Sequence, residues 1–198
     1  MAVEELETPV ERRTKRSLRR TVLLFLFAAL VLAFALERSV SHWRWSVKTM
    51  SDPDRVRVNR TPVASRVSIL SQIPAPQGSY PRHGRIAPQE LTVYRVRARL
   101  VALHRELDGD YHLVIQEPDD PKATMIVEIP APAEGRVGGL EAAFKSMRQT
   151  IAAHEPIPAT GWLVEVTGVG FFDATHWQPG ASATGFELHP VLEFRFLD

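Results

Sequence analysis

Eight polar side chains are grouped in a way that could carry chemistry. Asp110 and His112 lie in and just after the turn Asp108-Gly109-Asp110, and Glu128 sits near the end of the run TMIVEI. Asp173, His176 and Gln178 follow the run VGFF, and Glu187 and His189 open the last apolar stretch. Imidazole and carboxylate together can ligate a divalent cation or exchange protons. The spacing Asp173-x-x-His176 is short and common, and no two histidines stand at the i, i+4 spacing that marks a zinc-binding helix. Turn capping by Asp110 and Asp173, and an edge position for His189 before Pro190, account for the same residues without a ligand. The expectation is a ligand-binding set of Asp110, His112, Glu128, Asp173, His176, Gln178, Glu187 and His189. No catalytic residue, metal or cofactor is assigned. The alternative is a metal-dependent hydrolase using His112, Asp173, His176 and His189.

These residues need elements to hold them, and the chain from residue 91 onward supplies a regular pattern. In Thr92–Leu107, Tyr94, Val96, Ala98, Leu100 and Ala102 share one face while Arg95, Arg97 and Arg99 share the other, which predicts a long half-buried strand. Asp108-Gly109 predicts a tight hairpin into a second strand, Tyr111–Gln116. Thr124–Ile129 is a third strand, ended by Pro130 and Pro132. The period then changes: Leu140, Phe144, Met147 and Ile151 fall on one side of a helix, which Pro156 and Pro158 stop. Trp162–Phe172 and Leu188–Leu197 complete five strands, with Gly168 and Gly170 predicting a bulge or bend. The order β-β-β-α-β-β is that of the OB-fold, a five-stranded Greek-key barrel that binds ligands on its second and third strands and the adjoining hairpin loops. The two hairpin loops are where Asp110, His112, Asp173, His176 and Gln178 fall.

Two other functions compete for parts of this pattern. The Arg95, Arg97 and Arg99 stripe, with Arg105, is a possible single-strand nucleic-acid groove. Glu128, Glu165 and Glu193 are expected to point outward on neighbouring strands and to pair with those arginines, the ordinary use of such residues. Nucleic acid is therefore set aside as a partner. The Asp108-Gly109-Asp110 hairpin looks like the loop of staphylococcal-nuclease-like OB-folds. Tyr111 follows where those have Thr, and the run Thr124–Glu128 lacks their arginine.

The N-terminus has a different composition. Residues 1–20 hold six basic and four acidic side chains, and residues 21–36 carry no charge. A helix of that apolar length spans about 24 Å, close to a hydrocarbon core of about 30 Å. The expectation is a cytoplasmic basic tail at 1–20 and a transmembrane signal anchor at 21–40 that inserts in the lipid bilayer, with Trp43 and Trp45 at its interface. The excess of basic residues before the run places the C-terminal part outside the bacterial inner membrane, periplasmic or extracellular, for an envelope ligand or protein. Cleavage after Ala33-Phe34-Ala35 and secretion is the alternative. Residues 41–90 are rich in proline and read as a stalk with a short helix at 63–73, followed by the OB-like barrel at 91–198.

Composition narrows the chemistry further. With no cysteine among 198 residues, there is no disulfide, thiolate metal centre or cysteine nucleophile. A formal net charge of +1 argues against a general polyanion binder. The pieces Val47-Lys48-Thr49, Asp110–Ile115, Thr124–Pro130, and Val169–Asp173 through Glu187–Val191 resemble a family of exported bacterial proteins of unknown function. The resemblance spans roughly residues 45–198. That family runs G-F-F-D-x-x-H-G-Q-x-G and then A-x-N-G-I-E-L-H-P-V; this chain has Trp177, Thr184 and Phe186 where the family has Gly, Asn and Ile. The resemblance implies export and a bacterial source, and no activity.

Overall fold

The alternation of Val96, Ala98 and Leu100 with arginines buries one face of β2 (Thr92–Arg105), the longest strand and the spine of the sheet. The computed structural model describes residues 19–32, 43–106, 108–174 and 178–197. After β2 come β3 (Tyr111–Glu117), β4 (Asp120–Ile129), β5 (Trp162–Phe172) and β6 (Phe186–Phe196). Earlier in the chain lies β1 (Asn59–Ser65). The helices are α1 (residues 19–32), α2 (Trp45–Lys48), α3 (Val67–Leu70) and α4 (Glu141–Ala152).

The six strands form one sheet in the order β1-β2-β3-β4-β6-β5, and β2 also pairs with β5. Strands β2 to β6 therefore close into a ring, β2-β3-β4-β6-β5-β2, with α4 between its third and fourth strands. That is OB connectivity. The hairpin at Gly109 adopts φ +91°, which its lack of a Cβ permits. The expected irregularity at Gly168 and Gly170 is present: the β5–β6 register shifts on both sides of Gly168. A Cβ on Gly170 would stand 2.4 Å from the Gln89 carbonyl oxygen, so only glycine lets that backbone approach. From α4, Phe144, Met147 and Ile151 enter the core with Val96, Leu113, Val127 and Val166.

Three expectations change. The barrel has a sixth strand beside it: β1 pairs in parallel with the first half of β2, on the edge that β3 takes up further along. The supposed stalk at 41–90 joins, from Arg44, the same compact unit as the barrel. Its prolines do not exclude it from packing: two buried guanidinium–carboxylate pairs fold the segment on itself, and the Arg44 guanidinium and Glu90 carboxylate bond the Phe172 carbonyl and N–H at the end of β5. Arg44 grips Glu90 through Nη1 and Nη2 at 2.7 and 2.6 Å, and Arg85 grips Asp52 through Nε and Nη2 at 3.1 and 2.6 Å. Bidentate geometry of this kind holds two segments in one orientation. Trp45, expected at a membrane interface, donates its indole N–H to Glu134 at 3.1 Å.

The third change concerns the anchor. α1, in the separate unit Met1–Trp43, is exposed along its described length. Among the described residues no helix is long and apolar enough to cross a membrane; the span expected at 21–40 lies partly outside them, at 33–40.

Candidate functional site

Strand periodicity explains how the polar residues come to share one surface. On β3, Tyr111, Leu113 and Ile115 enter the core, so His112 and Val114 face the other way. On β4 the same holds for Glu128 between Val127 and Ile129, and on β6 for Glu187 and His189 around Leu188. On β5, Phe172 is in the core, and Phe171 and Asp173 are directed to the opposite side. The cross-strand register seats His112 opposite Glu128. Where β4 and β6 run parallel, Val127 pairs with Leu188, which brings Glu128 beside His189.

This outer face is covered. A Cβ on Gly180 would lie 2.3 Å from Val114 Cγ1, so the β5–β6 loop rests on β3. Lys48 of α2 reaches Asp173, with Nζ 3.3 Å from Oδ2, and stands 5.4 Å above the Phe171 ring. Asp110, His112, Glu128, Asp173, Glu187, His189 and Lys48 are all buried, His189 completely.

Glu128 is the centre of the cluster. His112 donates from Nδ1 to Glu128 Oε1 at 3.0 Å. His189 Nδ1 lies 2.9 Å from Glu128 Oε2, but the contact lacks the alignment of a ring N–H hydrogen bond. Among the described residues His189 Nε2 and Glu187 Oε2 have no hydrogen-bond partner. Asp110 accepts the Ala131 N–H at 2.7 Å.

The electrostatics follow from four carboxylates facing one ammonium in a place water does not reach. Burial, with the Asp108 and Glu128 charges, pushes Asp110 up to about 8. Burial and the Asp173 and Glu128 charges raise Glu187 well above the ordinary carboxylate value. Burial alone would also raise Glu128, but His189, Lys48 and the His112 hydrogen bond pull it well below. Burial disfavours the Lys48 ammonium, yet Asp173, Glu128 and Glu187 more than offset that and raise its pKa. Burial lowers His189, against the pull of Glu128.

Of the eight sequence candidates, six converge: Asp110, His112, Glu128, Asp173, Glu187 and His189. His176 lies outside the described residues. Gln178 is half-buried at the loop, where its carbonyl accepts the Ala181 N–H at 3.2 Å, and its side chain bonds nothing in the cluster among the described residues. Two placements are corrected. Glu128 is not an outward partner of the arginine stripe; it is buried among the histidines. His189 is not a satisfied edge residue. Of the arginine stripe, Arg95 pairs with the other two glutamates, with Glu165 at 3.7 Å and with Glu193 at 3.8 Å. Lys48 escaped the sequence reading because it lies in the proline-rich segment. Its one signal was membership of Val47-Lys48-Thr49.

No protein-family model matches the chain, and no curated protein does. Among solved structures it is similar to an asparaginyl-tRNA synthetase of Entamoeba histolytica, at 9% identity and TM-score 0.42 over 70% of this chain and 24% of that one. It is similar to a protein described as an aspartyl-tRNA synthetase of Leishmania major Friedlin, at 14% identity and TM-score 0.39 over 70% of this chain and 21% of that one. It is also similar to the Stn1-ten1 complex of S. pombe, at 16% identity and TM-score 0.33 over 53% of this chain and 57% of that one. The chain thus spans less than two thirds of each of these. Two of these proteins are named for tRNA, against the expectation that set nucleic acid aside.

Proposed function

We propose that this chain is a binding module in which an OB-like barrel takes its ligand on the outer face of β3, β4 and β6, beneath the β5–β6 loop. One observation carries the reading. Seven ionisable side chains are buried together there, two of them with polar atoms that no neighbour satisfies among the described residues. Buried polar atoms are normally bonded, and leaving one unbonded costs about 1–3 kcal/mol. A bound ligand would supply the partner these atoms lack. The charge step from residues 1–20 to the uncharged run 21–36 supports export of the barrel. The hydrolase reading needs His176 beside His112, Asp173 and His189, and His176 lies outside the described residues.

The test is a thermal-shift and amide chemical-shift screen of the full chain against divalent cations, oligonucleotides, oligosaccharides and peptides. The expected hit moves amides at Asp110–His112, Glu128 and Glu187–His189. A screen whose hits all map to other surfaces overturns the reading. So does a Glu187→Leu variant that is more stable and binds every hit as before.

A further inference from the structure

We infer that Asp110, Glu128 and His189 form a binding site for one divalent transition-metal cation of the Zn²⁺ or Mn²⁺ kind. The inference rests on the reading of this face as the ligand site and names its ligand.

The geometry comes first. One ligand atom from each of the three residues lies within 4.8 Å of the others. A cation at about 2.1 Å from each ligand holds neighbouring ligands about 3.0–3.4 Å apart and opposed ones about 4.2 Å apart. The contact between His189 Nδ1 and Glu128 Oε2 already matches it. These two atoms are 2.9 Å apart without the alignment of a hydrogen bond. Adjacent ligands of one cation stand at this distance.

The second observation concerns the imidazole. His189 is completely buried, and its Nδ1, the atom that faces Glu128 Oε2, has no hydrogen-bond partner among the described residues. A site filled only by side chains leaves that nitrogen without a bond, and a cation ligated by it supplies one. Surrounding groups also suit a cation. Metal-binding carboxylates are held by outer hydrogen bonds, and here His112 Nδ1 holds Glu128 Oε1 at 3.0 Å and the Ala131 N–H holds Asp110 Oδ1 at 2.7 Å. Each hydrogen bond uses one carboxylate oxygen and leaves the other for the metal. Lys48 remains with Asp173, so it neutralises the carboxylate outside the trio. Two oxygens and an imidazole nitrogen favour Zn²⁺ or Mn²⁺ over Ca²⁺ and Mg²⁺, whose sites are built from oxygen.

The experiment uses the full-length chain stripped with a chelator and titrated calorimetrically with Zn²⁺ alone and Mn²⁺ alone, with Co²⁺ absorption as a report on nitrogen and oxygen ligation. The expected result is one equivalent bound and a melting temperature that rises with added metal. Asp110→Asn keeps an oxygen for the Ala131 N–H, so its stripped form is expected to melt as wild type does while its affinity falls at least tenfold. His189→Gln is the second variant, with the same loss expected. The metal site is overturned if the folded wild type takes up neither metal, if both variants bind with wild-type affinity, or if Ca²⁺ binds more tightly than Zn²⁺. A non-metal ligand mapped to Glu128 and His189 by the screen, with no metal uptake, overturns this inference and leaves the binding-module reading standing.

Discussion

Glu128 and His189 are neighbours because Val127 pairs with Leu188 where β4 and β6 run side by side in parallel. The same pairing closes the barrel. One step of register would exchange Glu128 for Val127 on the outer face, since side chains alternate across a strand. Barrel closure and assembly of the polar cluster are therefore a single event. Any substitution that loosens the β4–β6 contact should disturb both.

Lys48 is the only ammonium in the cluster among the described residues, and Asp173 is its nearest carboxylate. Lys48→Met leaves that buried charge unpaired, and removing one member of a buried pair costs about 3–5 kcal/mol. Urea unfolding of the full chain should show a loss of that size. The double variant Lys48→Met, Asp173→Asn should recover part of it, giving a coupling of about 0.5–3 kcal/mol in the mutant cycle.

Arg44 and Glu90 hold the segment before β2 against the barrel, and both side chains are fully buried. Glu90 also accepts the Ile86 and Phe172 N–H groups. Arg44→Met should cost about 3–5 kcal/mol. Hydrogen exchange should show the loss of protection concentrated in residues 44–91 and less in β3 and β4. Equal loss throughout would mean that the segment and the barrel unfold as one unit.

Glu117 links β3 to the residues around α3. Burial would raise its pKa, but the Ser68 N–H, the Arg66 guanidinium and the Ser68 hydroxyl hold it below the ordinary 4.5. A carboxylate depressed in the folded state contributes stability above its unfolded pKa and loses it as the pH falls through the folded one. Glu117→Gln should therefore cost about 1–2 kcal/mol at neutral pH, by loss of charge-assisted hydrogen bonds. The gap between variant and wild-type melting temperatures should narrow steadily on acidification below the carboxylate range.

Phe144 carries the contact of α4 with the barrel core and is completely buried. Phe144→Ala should cost about 3–5 kcal/mol. Denaturant melts followed by tryptophan fluorescence check it, and a loss under about 1 kcal/mol would show that the helix adds little to the barrel.

Local periodicity accounts for most of what was legible in the sequence. Strands β2 to β6 announce themselves by alternation at Val96, Ala98 and Leu100, α4 by the stripe through Phe144, Met147 and Ile151, and the first hairpin by Asp108-Gly109. Each signal is carried by residues within one or two turns of each other. The order of those elements was enough to name the barrel. Candidate polar residues were also visible, because carboxylates and histidines in the hairpins and at strand ends stand out against apolar runs.

What only the tertiary structure decided is which of those residues meet, and on which side of the sheet. Glu128 looked like one of three outward glutamates; the β5–β6 loop and α2, which cover that outer face, made it a buried one. Lys48 joined Asp173 across 125 positions, and Arg44 joined Glu90 across 46. Ion pairs of that separation leave no periodic trace, since the two residues share no element. The prolines before β2 correctly mark a segment poor in regular structure. They say nothing about whether it packs, because a guanidinium–carboxylate grip needs no helix or strand on either side. The sequence by itself thus determined the elements and the kinds of polar group available. Barrel closure and distant charge pairing determined the site.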